Sequence, residues 1–364
     1  MNSRERCLAA IEGRPVDRTP VFPLLMSFSA GCLGVSYREF ASNGHVLAEA
    51  QLKARALFGV DAITACSDAF RVSADLGGEM VFPESTPPFL ARPLVRSEAD
   101  VERLTPPDMA RRGSRIEDRA MTTREMVRAA GAECLVLGWV DMPFAEACSL
   151  CGVAEFLTLL HDQPRLAHRL LEFLTGVVVD FGRVQLEAGA PMIGSGDAAA
   201  SLVSPAMYRA FALPYERRVC AAIHAAGGLV KLHICGNTRH LLQDMVTSGA
   251  DLFNVDHLVD FSLACKTYGA AEKCFKGNLN PVADMLQATP ELCERLALNC
   301  LRQAAGRRYM LSPGCEVPPG VNVDVFRAFC KAPLAAGDDG VLGAARDMGR
   351  AESGGELAFN RKPH

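Results

Sequence analysis

Residues 229–237 read LVKLHICGN: a β-branched apolar run that carries a histidine and a cysteine two positions apart and stops at Gly-Asn. A short apolar run closed by a turn signal predicts a strand. In a strand, residues i and i+2 point to the same face, so His233 and Cys235 share a face whichever way the strand is turned. The residues before it read as a helix. Ser204-Pro205 supplies an N-cap and a first-turn proline, and Gly227-Gly228 supplies a C-terminal stop.

The same helix-then-strand unit recurs in both directions. Upstream lie VFPLLMS from Val21, DAITACSD from Asp61, CLVLGWVDMP from Cys134 and PMIGSGDA from Pro191; downstream lie LFNVDH from Leu252, CFKGNLN from Cys274 and YMLSPGCEV from Tyr309. Strands alternating with helical patterns predict an α/β fold with parallel pairing. Eight such runs predict a (β/α)8 TIM barrel with an N-terminal helical extension. A doubly wound sheet is the alternative, but no G-x-G-x-x-G follows a strand; GSGD at 194–197 lacks the third glycine. Residues 83–128, rich in Pro, Arg, Asp and Glu, form an excursion between the second and third strands, placed to cap one barrel end. The reading is a single domain over 1–340, followed by a loosely ordered polar tail over 341–364.

Composition excludes several classes. A net charge of -4 over 364 residues, without a basic run, gives no footprint for nucleic acid. Mean hydropathy is +0.11, yet no window reads as a membrane span. The opening MNSRERCLAAIEGRPVDRTP has no apolar core of the secretory kind, so a cytoplasmic protein is expected. Its fourteen cysteines are then reduced thiols, mostly buried. CSLC at 148–151 is a lone C-x-x-C.

In a barrel the chemistry sits at the C-terminal ends of the strands, and polar residues collect there. His233 and Cys235, on one face and about 6–7 Å apart at Cα, make two zinc-type donors. A third must come from elsewhere. Cys315, just after the last apolar run in a Gly- and Pro-braced loop, is the best candidate. Asp197 is expected to orient substrate or to tie its own Gly-Ser-Gly loop together. Asp256 would take the fourth metal position, hydrogen-bond His233, or cap the following turn. Asn278 binds polar groups of a substrate or caps a loop. Met26, Phe28 and Met142 line the pocket or belong to the core. His224 and His257 read as structural.

Several stretches carry a resemblance. RERCLAAIEGRPVDRTPVFP, GSGDAAASLVSPAMYRAFALPYERRV, LHICGNT, FNVDHLVD, KGNLNP and LSPGCEVPPGVNVD together resemble the uroporphyrinogen decarboxylase superfamily, most closely its cobalamin-dependent methyltransferase branch, the methylcobamide:coenzyme M methyltransferase-like proteins. The likeness runs from about residue 4 to about residue 334. It implies a TIM barrel and zinc held by His233, Cys235 and Cys315. It further implies a methyl group moved between methylcobalamin on a partner corrinoid protein and a zinc-activated thiol. No D-x-H-x-x-G stretch occurs in this chain, which fits a separate corrinoid carrier. Decarboxylases of the superfamily use no zinc and grip substrate carboxylates with an arginine-rich N-terminal segment; here that place reads LLMSFSAG, residues 24–31, without arginine. Four alternatives stay open: transfer in the opposite direction from a small methylated donor, a folate acceptor, a zinc-free decarboxylase-like lyase, and a corrinoid carrier or metal-binding regulatory module without catalysis, against which the missing corrinoid motif argues.

Overall fold

Seven of the eight apolar runs form strands in the computed structural model, which describes residues 1–338. The strands are β1 (Ala62–Thr64), β2 (Met80–Val81), β3 (Phe89–Leu90), β4 (Leu135–Asp141), β5 (Met192–Gly196), β6 (Leu229–His233), β7 (Leu252–Asn254), β8 (Cys274–Leu279) and β9 (Tyr309–Pro313). One curled sheet of seven strands runs in the order β1-β4-β5-β6-β7-β8-β9, with every pair parallel. The fold is α/β and TIM-barrel-like. The predicted tail at 341–364 lies outside the described residues.

The run from Val21 is the exception. It makes only isolated bridges, Val21 to Leu311 and Leu24 to Glu316. Pro20 and Pro23 interrupt it, and a residue without an N–H cannot extend a ladder. The segment nevertheless reaches both edge strands. Phe22 N donates to Leu311 O at 2.9 Å and Leu311 N to Pro20 O at 2.8 Å on the β9 side; Asp61 N donates to Val21 O at 2.8 Å on the β1 side. Side chains supply what the ladder lacks. The buried Asp61 carboxylate accepts from Val21 N at 2.7 Å, from Arg6 Nη1 at 2.6 Å, and from Arg18 Nη1 and Nη2 at 2.7 and 3.0 Å. Two guanidinium groups from the N-terminal segment thus meet one carboxylate beneath the sheet edges.

The N-terminal extension is a helix, Ser3–Glu12, closed at its start by an Asn2–Glu5 capping box. Its buried face, with Cys7, Ala10 and Ile11, packs on Leu135, Leu137, Met192, Leu252 and Met310. These are inward-facing residues of the strands, so the helix plugs the N-terminal end. The helix expected from Ser204 is present but breaks at Leu213-Pro214 into Pro205–Phe211 and Leu213–Ala225. The excursion begins just after β2 and holds its antiparallel partner β3 and a helix, Glu98–Arg103. It then joins Arg115–Ala130, which packs on β4 and on the helix Gly44–Phe58. Among the described residues no single helix is long and apolar enough to cross a membrane.

Candidate metal centre and active site

β6 places Lys231 and His233 on one face, and Cys235 follows as the chain turns. Gly236 has φ +92, the left-handed conformation that glycine alone adopts freely. Cys315 arrives on the loop after β9. His233 Nε2, Cys235 Sγ and Cys315 Sγ converge: Cys235 to His233 is 2.9 Å, Cys315 to His233 is 3.6 Å and Cys235 to Cys315 is 3.8 Å. Zn–S of about 2.3 Å and Zn–N of about 2.0–2.1 Å at tetrahedral angles put two sulfurs about 3.8 Å apart and a nitrogen and sulfur about 3.6 Å apart. Two of the three separations match; the His233–Cys235 edge is tighter. The donor set and its spacing therefore fit a three-ligand zinc site. The two sulfurs share a proton. The Cys235 thiol donating to Cys315, together with the His233 ring, draws Cys315 down to about 3, while Cys235 is pushed well up by that same hydrogen bond and by burial.

The end of β7 holds both ligand-bearing loops. His233 Nδ1 faces Asn254 O at 3.4 Å, which leaves Nε2 as the donor toward a metal. Asn254 Nδ2 donates to Gly314 O at 3.2 Å, beside Cys315. Asp256 accepts from Gly236 N and from Leu258 N, both at 2.9 Å. It thus fixes the turn after Cys235 rather than meeting His233, and it lies outside the three-donor cluster. On the other flank, Glu316 accepts from Ser27 N at 2.7 Å and from the Ser27 hydroxyl. Asn278 is spent on the same region: its Nδ2 donates to Asp256 O at 3.2 Å and Val259 O at 2.7 Å.

Asp197 is fully buried, and its backbone N donates to His233 O at 2.8 Å. Its carboxyl group turns instead to Glu216, whose other oxygen accepts from Tyr208 Oη at 2.5 Å. Burial holds Asp197 well up and Glu216 up to about 7. Met142 is fully buried at the start of the helix Pro143–Cys151. Phe28 packs on Phe326 and Phe58, with centroids 4.6 and 5.7 Å away. Both belong to the core. Met26 is half-buried at the mouth, its sulfur 3.5 Å from Cys66 Sγ.

Three features had no place in the expected site. Lys231 is buried beneath the donors, its Nζ 4.4 Å from the Trp139 ring centroid, and burial lowers it to about 8. A lysine two positions before His233 in an apolar run was the available signal. Lys276 is also buried and donates to Phe22 O at 2.7 Å and Ser312 Oγ at 3.1 Å. At the end of β4, Asp141 accepts from the buried Arg71 Nη2 at 3.1 Å.

The comparisons with known proteins agree with this architecture. The family model described as uroporphyrinogen decarboxylase matches residues 2–333. A uroporphyrinogen decarboxylase of Prochlorococcus marinus (strain MIT 9313) is 27% identical over 94% of this chain and 99% of its own. That of Xanthomonas axonopodis pv. citri (strain 306) is 28% identical over 80% and 85%. Among solved structures, a methyltransferase from Methanosarcina mazei superposes with a TM-score of 0.82 at 21% identity, over 96% of this chain and 99% of that one. A B12-independent methionine synthase from Shewanella sp. W3-18-1 gives 0.57 at 13%, over 92% and 98%. At these identities the two structures speak for the fold alone. A match that leaves out one residue at the start and only the last part of the sequence, on a curled parallel sheet of this kind, places the chain in the uroporphyrinogen decarboxylase family.

Proposed function

We propose that this protein is a zinc-dependent methyltransferase that moves a methyl group between a corrinoid, carried by a partner protein, and a thiol or similar acceptor. One observation carries the reading: His233, Cys235 and Cys315 meet at 2.9–3.8 Å at the C-terminal ends of β6 and β9. The three would hold the ion; bound there, zinc supplies a Lewis acid that keeps a coordinated thiol deprotonated and nucleophilic. The chain's own part is placement and charge. Asn254 fixes the His233 ring, Asp256 and Asn254 hold the two cysteine loops, and the Lys231 ammonium lies below the sulfurs. A thiol acceptor would release its proton to solvent as its sulfur gained the methyl carbon, and the electron pair of the broken bond would leave with the corrinoid. Exposed Leu202, Leu258, Val282 and Leu286, on segments after β5, β7 and β8, offer an apolar rim for a partner.

Incubation with methylcobalamin and a series of thiols tests this by mass spectrometry of the thioether. If no thiol is methylated while a methyl ether charges cob(I)alamin, the direction is reversed. If neither occurs and purified protein carries no zinc, the reading fails. The curated relatives favour a second reading, decarboxylation of a porphyrinogen. Against it, residues 24–31 at the mouth hold no cation, and Arg71 beside β4 is engaged with Asp141. Release of carbon dioxide from uroporphyrinogen would decide for it.

A further inference from the structure

The β2–β3 hairpin and the ends of β4 and β5 enclose a cleft of about 340 Å³, within the size range of small-molecule sites. Its walls are apolar: Phe70, Phe89, Leu90, Pro93 and Val153 are joined by alanines and Cys148. Asp141 is the charged residue of the lining. It is buried, and its partner is the buried Arg71, whose Nε and Nη1 find no hydrogen-bond partner among the described residues. Arg71 lies behind it and is shared with the buried Asp68, whose Oδ2 is 3.8 Å from Nη1, so the polar corner open to the cleft is the Asp141 carboxyl group.

Sheet register ties this corner to the metal donors. Asp141 pairs with Gly196, and Gly196 with His233, so Asp141 and His233 sit two strands apart, about 10 Å at Cα. Between them stands a residue with no side chain. A Cβ on Gly196 would approach Asp141 Oδ1 to 3.0 Å and the Trp139 ring to 3.3 Å.

Resting on the methyl-transfer reading, we propose that this cleft is its small-molecule subsite and takes a compact, largely apolar ligand of ring size that carries no negative charge, with one hydroxyl donating to Asp141. A carboxylate or sulfonate is disfavoured, because it would enter apolar walls and meet the Asp141 carboxylate with no unpaired cation in the lining to offset it. The excursion thus acts as one wall of a binding site, with Phe89 half out of it and 45% exposed.

Ligand-observed NMR on the full chain tests this with phenol as probe and benzoate as its charged counterpart. Phenol is expected to bind at least tenfold more tightly than benzoate. Ala199→Trp, which fills the cleft, should abolish phenol binding, and Phe89→Ala, on the exposed hairpin where folding is not at stake, should weaken it severalfold. Wild-type protein that purifies without zinc yet still binds phenol in the cleft would fail the zinc reading and leave this proposal standing, so the two show separately. Benzoate binding as well as phenol, or phenol binding unaltered by both cleft variants, overturns the proposal.

Discussion

Replacing Cys315 with serine asks whether the three donors act as one site. The side chain loses a sulfur that lies 3.8 Å from Cys235 Sγ and 3.6 Å from His233 Nε2, and gains a hydroxyl that does not ionise at neutral pH. Structural zinc sites with four protein ligands bind with roughly 10–16 kcal/mol, or about 3 kcal/mol per ligand. At 1.4 kcal/mol per factor of ten, losing one ligand should weaken zinc binding by about 100-fold or more. Competition against a chromophoric chelator at neutral pH reads this directly. Cys66→Ser is the control, since Cys66 contacts Met26 at the same mouth but stands outside the cluster. Stability without metal should change little, because a half-buried thiol is exchanged for a hydroxyl of similar shape. If Cys315→Ser holds zinc within a few-fold of wild type while Cys66→Ser does not, the assignment of donors is wrong and the methyl-transfer reading goes with it.

Asp256→Asn removes the charge that holds Gly236 N and should cost about 10–100-fold in zinc affinity with the fold retained; an unchanged chelator titration would dismiss its positioning role. Asp61→Ala strands Arg18 and Val21 N, leaves Arg6 paired with Asp17, and should destabilise the protein by about 3–5 kcal/mol in urea unfolding; a loss below about 1 kcal/mol would mean the carboxylate does not hold the sheet edges. Glu216 rises from 4.5 to about 7 on folding, so the folded state binds its proton more tightly. Its contribution to stability is full below pH 4.5 and lost as pH rises through 7. Glu216→Gln should therefore gain up to about 3 kcal/mol over wild type at pH 8 and close to nothing at pH 4.5; equal gains at both values would refute the buried carboxyl pair.

Continuous apolar runs and the turn signals after them marked the strands from Asp61 onward, because strands buried on both faces need no alternation. The run from Val21 looked the same but carries Pro20 and Pro23, and its place is held by Asp61 and two arginines, a long-range arrangement that no local pattern reports. The three donors were legible because strand geometry forces His233 and Cys235 to one face and the last apolar run ends beside Cys315. Roles inside the mouth were not. A strand-end apolar residue such as Met142 or Phe28 is indistinguishable in sequence from core. Whether Asp197 faces the mouth or Glu216 depends on a side-chain rotation. Arg71 opens a short helix and Asp141 closes β4, 70 positions apart, with nothing in either stretch to announce the other.

The proline-broken segment at residues 20–24 is the stave least nailed to its neighbours. Breathing of the barrel should start there, with amide exchange at Val21, Phe22 and Leu24 faster than in β4 or β5. Leu24 and Ser27 are also the moorings of Glu316, the residue after Cys315. One sulfur of the trio therefore rides on the loosest strip of the wall while the histidine and the other sulfur ride on one of the firmest, so a ligand that pries the mouth open there would part the two cysteines before disturbing anything else.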